Sequence, residues 1–163
     1  MKPRVMVINP EVYMYGGAER QIVELCNYLT FHDFPVTVVV PKAIPEFKRN
    51  FADARVFEVG NLDVCKQLFQ KFDVINPHNH PAELCVYPAK FPTVWQLNEP
   101  PDYVLQGEPL KPEERKIVNE SVDEIVVISQ PEKERVKLLY GREATVNYPG
   151  VRHGFFSEPS VEV

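Results

Sequence analysis

The chain has only three cysteines, Cys26, Cys65 and Cys85, scattered along 163 residues. That is too few for a disulfide framework or a zinc ribbon. Each lies in an apolar or helical context, so all three read as buried free thiols, which suits a reducing cytoplasm. No run approaches the ~20 apolar residues needed to span a bilayer, and the first residues lack a signal-peptide pattern. Peripheral contact with the cytoplasmic membrane face through a small patch stays open. Positive charge is not in excess: 18 Lys and Arg against 23 Asp and Glu leave a net charge of −5, which argues against nucleic acid or an anionic membrane as the main partner. Repeats and low-complexity tracts are absent. So are the three spaced glycines of the dinucleotide fingerprint, the phosphate loop ending in Gly-Lys-Ser/Thr, and the Gly-x-Ser-x-Gly elbow of hydrolases.

Proline, by contrast, is abundant. The 16 prolines are about twice the average share and cluster at 41–45, 77–81, 88–92 and 100–112, where they mark element boundaries. Between them, strand-like and helix-like patterns alternate. Strands are predicted at Val5–Ile8, Val36–Val40, Arg55–Val59, Val74–Asn76, Thr93–Leu97 and Ile125–Ile128. Helices are predicted at Ala18–Phe31, Ile44–Phe51, Leu62–Phe72, Pro81–Tyr87, Pro112–Val122 and Pro131–Tyr140. The continuous β-branched run Val36–Val40 suits a parallel strand covered on both faces. This alternation predicts an α/β, doubly wound, mainly parallel sheet with helices on both faces, within a single domain. The stretch 151–163 loses periodicity and reads as a linker or frayed tail.

Ligands of such folds bind outside the carboxyl ends of the strands, which selects four segments. The first is the turn Gly16-Gly17, where a strand runs into an amphipathic helix. Free backbone N–H groups and the positive end of the helix dipole meet there, with no side chain in the way of a phosphate. A glycine pair at such a corner serves equally as a plain tight turn. Glu19 in the first helical turn suits the dipole, whereas Arg20 does not and faces either a ligand anion or water.

The second segment is His78-Asn79-His80-Pro81. Its two histidines are spaced for a metal, but no complete ligand set follows; hydrogen bonding to a polar ligand, or plain loop structure, are the other readings. The third, Asn98-Glu99-Pro100-Pro101-Asp102, places an amide and two carboxylates where a polyol such as a sugar can be held, or forms an acidic, proline-stiffened turn. A carboxylate there with a raised pKa can act as a base. The fourth, Ser129-Gln130-Pro131-Glu132, is a helix-capping pattern rather than a nucleophile.

Taken in order, Gly16-Gly17-Ala18-Glu19-Arg20, 73–80 (DVINPHNH), 93–99 (TVWQLNE), Val126-Val127-Ile128-Ser129 and Tyr148-Pro149-Gly150-Val151 resemble the N-terminal domain of group 1 glycosyltransferases. These are retaining enzymes with two Rossmann-like domains in a GT-B arrangement. The resemblance implies that residues 1–150 form an acceptor-side Rossmann-like domain and that 151–163 begin the interdomain hinge. It implies Gly16 and Gly17 at the diphosphate or sugar of a nucleotide-sugar donor, which serves as co-substrate with no metal or other cofactor. Arg20, His78, Asn79, Asn98 and Glu99 are the further candidates for substrate binding, the acceptor being a glycan, lipid or small molecule. Where the family often carries a histidine, this chain has Asn98, which cannot move a proton; His78 or His80 are the candidates to take over part of that role. A second, donor-binding domain is expected outside these residues, so little activity is expected of the chain alone. Two alternatives stand beside this reading: a free-standing module that binds a nucleotide or phosphometabolite, and a subunit whose partner chain supplies the donor half.

Overall fold

Short runs of valine and isoleucine become strands, and each is returned by a helical segment, so successive strands point the same way. The computed structural model describes residues 1–88 and 90–150. The expected hinge or tail at 151–163 lies outside the described residues. The strands are β1 (Val5–Ile8), β2 (Val36–Val40), β3 (Arg55–Glu58), β4 (Val74–Pro77), β5 (Val94–Leu97), β6 (Glu124–Val127) and β7 (Thr145–Val146). The helices are α1 (Gly17–Phe31), α2 (Pro45–Arg49), α3 (Asp102–Leu105), α4 (Pro112–Ser121) and α5 (Gln130–Tyr140). Two 3-10 segments, Leu62–Lys71 and Ala82–Val86, take the place of the helices expected there. In the first, Leu62, Cys65 and Leu68 recur every three residues, which matches the tighter 3-10 period and lines them along one edge.

Strand pairing is parallel throughout, in a ladder β3-β2-β1-β4 and a ladder β5-β6-β7. Isolated parallel bridges, Ile75 with Thr93 and His78 with Gln96, join β4 to β5. Ile75 N–H donates to the Pro92 carbonyl and Asn79 N–H to that of Gln96, both at 2.8 Å. Read across, the order is β3-β2-β1-β4-β5-β6-β7, the doubly wound arrangement whose direction of build reverses between β1 and β4.

The pleat sends alternate side chains to opposite faces. Val5 and Val7 of β1 pack with Ile22, Val23 and Cys26 of α1 and Phe47 of α2. Met6 and Ile8 face the other way, against Cys65, Phe69, Ala82 and Val86 of the 3-10 segments. A third cluster gathers Trp95, Leu97, Ile125 and Val127 against α4 and α5. All three cysteines are buried and free, and burial pushes the Cys26 thiol up to about 12. Helix α5 opens as expected, with Ser129 Oγ accepting from Glu132 N–H at 3.4 Å. It closes at Gly141, whose φ of +70° favours glycine. Periodicity did not predict α3 and β7, because each is too short to complete a pattern.

Trp95, fully buried and edge-on to Tyr140 at 5.5 Å, is the largest side chain in the third cluster. Replacing Trp95 with Ala is expected to cost ~3–5 kcal/mol of unfolding free energy, read as a lower urea midpoint at unchanged slope.

Candidate functional site

Where the build direction reverses, the loops after β1, β4 and β5 diverge and leave a cleft of about 800 Å³ at the carboxyl ends of the strands. Its walls come from Asn9 to Glu19, from Asn79 to Pro81, and from Glu99 to Gln106. Two other concavities, one beside Arg4 and Pro35 and one beside Phe91 and Asp123, lie where strands begin. The doubly wound fold places ligands at the opposite edge, so the carboxyl-end cleft is the candidate site.

The first wall is pinned by Val12, 2% exposed, whose N–H donates to the Lys42 carbonyl at 2.9 Å beyond the end of β2. Gly16 is the N-cap of α1, in extended backbone with φ of −100°. Its N–H donates to Glu19 Oε2 at 2.9 Å, so the carboxylate caps the helix from its own first turn. Neither glycine has a positive φ, so turn geometry does not demand them. Glycine contributes space instead: a Cβ on Gly17 would meet nothing within 4 Å, and one on Gly16 only the mobile Glu19 carboxylate at 3.2 Å.

Asn79 ties the second wall to the third. It sits at φ of +57°, a left-handed conformation that asparagine adopts more readily than most residues. Its Oδ1 accepts from Asn98 N–H at 3.3 Å, and its carbonyl accepts from Trp95 Nε1 at 3.4 Å. Asn98 itself is half-buried and does not line the cleft, its Oδ1 taking a hydrogen bond from Gln96 Nε2 at 3.2 Å. Glu99, by contrast, lines the cleft.

The two histidines of the 78–81 segment part company. His78 is 1% exposed, beneath the cleft rather than on its wall, with Nε2 2.8 Å from Asn76 Oδ1. Burial pulls its pKa down to about 3. The candidate role of touching substrate therefore gives way to one of supporting the β4 loop. His80 does line the cleft, and its Nδ1 lies 2.8 Å from Glu83 Oε1. Among the described residues no group of three or more His, Cys, Asp or Glu side chains is placed to hold a metal ion. Arg20 is exposed and stacks over the Tyr15 ring at 5.6 Å instead of lining the cleft.

Thus Gly16, Gly17, Asn79, His80 and Glu99 converge, while Arg20, His78 and Asn98 do not reach the wall. Asn9, Glu11, Glu19, Asp102, Tyr103 and Gln106 add further polar side chains to the lining. Of these, Asn9 carried a signal in directly following the β1 run, and Asp102 and Tyr103 end the segment 98–103 that follows β5, although the α3 turn on which they sit was not predicted. Among the described residues the lining includes four carboxylates, Glu11, Glu19, Glu99 and Asp102, and neither lysine nor arginine.

A parallel, doubly wound Rossmann-like domain binds its ligands in the crevice at its switch point, where this cleft lies. Comparison with known proteins narrows the class. Residues 15–155 match the profile of Glycosyltransferase Family 4, and the chain belongs to that family. A solved structure of a glycosyltransferase from Rickettsia africae ESF-5 shares the fold, with a TM-score of 0.67 at 14% identity. The match covers 94% of this chain and 45% of that one, so the chain spans less than half of that glycosyltransferase's length. No curated protein matches the chain significantly. No helix among the described residues is long and apolar enough to cross a membrane.

Gly17→Ala is expected to leave the fold intact or raise its stability by about 0.4–1 kcal/mol through loss of unfolded-state freedom, while a methyl group now occupies the cleft beside the helix start. Thermal unfolding and ligand titration of the same variant separate the two effects. His78 supplies a pH test. Below pH 6.5 the unfolded chain protonates this residue and the folded chain does not, down to about 3. Its contribution to stability is therefore complete above 6.5 and is lost as pH falls. Histidine NMR should find no titration of the His78 ring between pH 8 and 5, and His78→Gln should shallow the acid decline in stability.

Proposed function

We propose that this domain is the acceptor-side wall of a retaining glycosyltransferase that moves a sugar from a nucleotide-sugar to an acceptor hydroxyl. The observation that carries the reading is the cleft at the switch point of a Glycosyltransferase Family 4 domain, walled by the Gly16-Gly17 turn on one side and by Asn79, His80 and Glu99 on the other. The open space over Gly17 suits close approach of the donor's sugar or diphosphate to the helix start. Asn79, His80 and Glu99 supply the hydrogen bonds that acceptor hydroxyls require.

The charge of the wall supports a division of labour. A diphosphate needs cations or many N–H donors, and among the described residues the lining holds neither lysine nor arginine, while the Glu19 carboxylate already occupies the Gly16 N–H. The cationic contacts to the leaving diphosphate therefore belong to a second wall, in keeping with a chain that spans 45% of the related glycosyltransferase. The same absence of cations weighs against a free-standing phosphometabolite-binding module. No metal is assigned a part in the transfer.

Two outcomes check this. The 163 residues alone should yield no sugar transfer from nucleotide-sugars in a product assay, since this wall holds neither lysine nor arginine for the leaving diphosphate among the described residues; robust turnover would end the proposal. A neutral sugar should bind the cleft more tightly than its phosphate ester at low salt. That gap should narrow in ~1 M salt, where the screening length falls to about 3 Å; preference for the phosphate would reverse the assignment.

A further inference from the structure

Behind the cleft wall lies a chain of polar side chains that the family assignment does not explain. His80 faces the cleft with its side chain 20% exposed, and its Nδ1 is 2.8 Å from Glu83 Oε1. Glu83 stands one turn on in the 3-10 segment Ala82–Val86 and is 1% exposed. A carboxylate so far from water is costly unless it is tied to a cationic or hydrogen-donating partner, and His80 is that partner. Tyr103 of α3 packs edge-on to the His80 ring at 6.3 Å. Its hydroxyl donates to Glu114 Oε2 at 2.6 Å, and Lys111 Nζ lies 3.3 Å from Glu114 Oε1. Glu83 and Tyr103 thus flank the imidazole, and Glu114 fixes Tyr103 from the next element. The Nδ1 edge is committed to Glu83, so the Nε2 edge is the one left for a ligand.

We propose that His80 and Glu83 form the hydroxyl-binding pair of the acceptor site, Glu83 orienting the ring and His80 Nε2 making the hydrogen bond to the acceptor hydroxyl. This rests on the acceptor-side reading above and assigns it a residue pair. The arrangement follows the logic of a base oriented by a buried carboxylate. With Nδ1–H donating to Glu83, a neutral ring has its Nε2 lone pair free to accept the hydroxyl's hydrogen; a protonated ring donates to the hydroxyl oxygen instead. Burial opposes charge on His80, but the hydrogen bond and charge of Glu83, reinforced by Glu114, outweigh it and the opposing Lys111 and hold the pKa above the usual histidine value. Burial in turn holds Glu83 above the usual carboxylate range, against the pull of His80. The groups that face the pair are therefore Glu83 itself, Tyr103 on α3, and Lys111 and Glu114 around the start of α4, with Tyr140 on α5 close enough to sense the Glu83 charge. Asparagine at position 98, which does not line the cleft, leaves His80 as the imidazole that does so among the described residues.

The test is a titration of the full chain with methyl α-D-glucopyranoside, a neutral polyol, followed by histidine and backbone NMR. In the wild type the sugar should move the His80 ring signals, and its affinity should change with pH along the His80 titration curve. His80→Ala and Glu83→Ala should each weaken binding by roughly five-fold, the scale of one net hydrogen bond. The double variant should be no worse than either single one, because the two act as a unit. Glu83→Gln can still accept from Nδ1–H; it should recover most of the affinity while lowering the His80 pKa. His80→Gln serves as a second variant should His80→Ala not fold. Sugar binding in the cleft that is indifferent to both His80 variants, or single losses that simply add, would overturn the pair and leave the acceptor reading standing. Absence of any cleft shift in the folded wild type at saturating sugar would overturn both.

Discussion

The molecule depends on the seam between β4 and β5. Two parallel ladders, one of four strands and one of three, meet there through isolated bridges at Ile75 and His78. Asn76 reinforces the seam by donating from Nδ2 to the Val94 carbonyl at 2.6 Å. Buried hydrogen bonds in a parallel sheet leave little room for slippage, since an unpaired backbone group in the core costs most of what a bond contributes. The seam also decides where the cleft's walls stand. Asn79, Trp95 and Asn98 bond across it, so the segment after β4 and the segment after β5 are set relative to one another before any ligand arrives.

Chemistry follows from that alignment. The helix start at Gly16-Gly17 offers a site without side-chain bulk, but its first N–H is already taken by Glu19. The opposite wall presents His80, backed by a buried carboxylate, and Glu99. A surface of this kind offers hydrogen-bonding groups on one side and close backbone approach on the other, and among the described residues it holds neither the lysine nor the arginine that suit a diphosphate. That character is in keeping with the proposed role as one wall of a transferase site, in which transition-state charge is stabilised by groups converging from both sides.

Most of the fold was legible in the sequence. Apolar runs such as Val36–Val40 and the spacing of Ile22, Cys26 and Leu29 impose period and burial directly, and Ser129 and Gly141 declared the ends of α5. Where reading failed, the reason was length or local period. The segment Asp102–Leu105 is one turn within a proline-rich stretch, Thr145–Val146 is two residues, and Leu62–Lys71 carries a three-residue repeat that looks helical in outline. At the site, Gly16, Gly17, Asn79, His80, Glu99 and Tyr103 were identifiable as residues in segments that follow strands, whereas the contact of Tyr103 with His80 was not.

The sequence by itself determined the alternation of strand and helix, the burial of both sheet faces and the resemblance to group 1 glycosyltransferases. These properties reside in local period, composition and motif order. Only the tertiary structure decided which of two histidines, two residues apart, meets the cleft. His78 turns inward to Asn76 and loses its proton to burial, while His80 turns out and is held by Glu83. Their neighbours come from β4, the 3-10 segment Ala82–Val86, α3 and α4, and a sequence cannot rank side chains whose roles depend on contacts assembled across those elements.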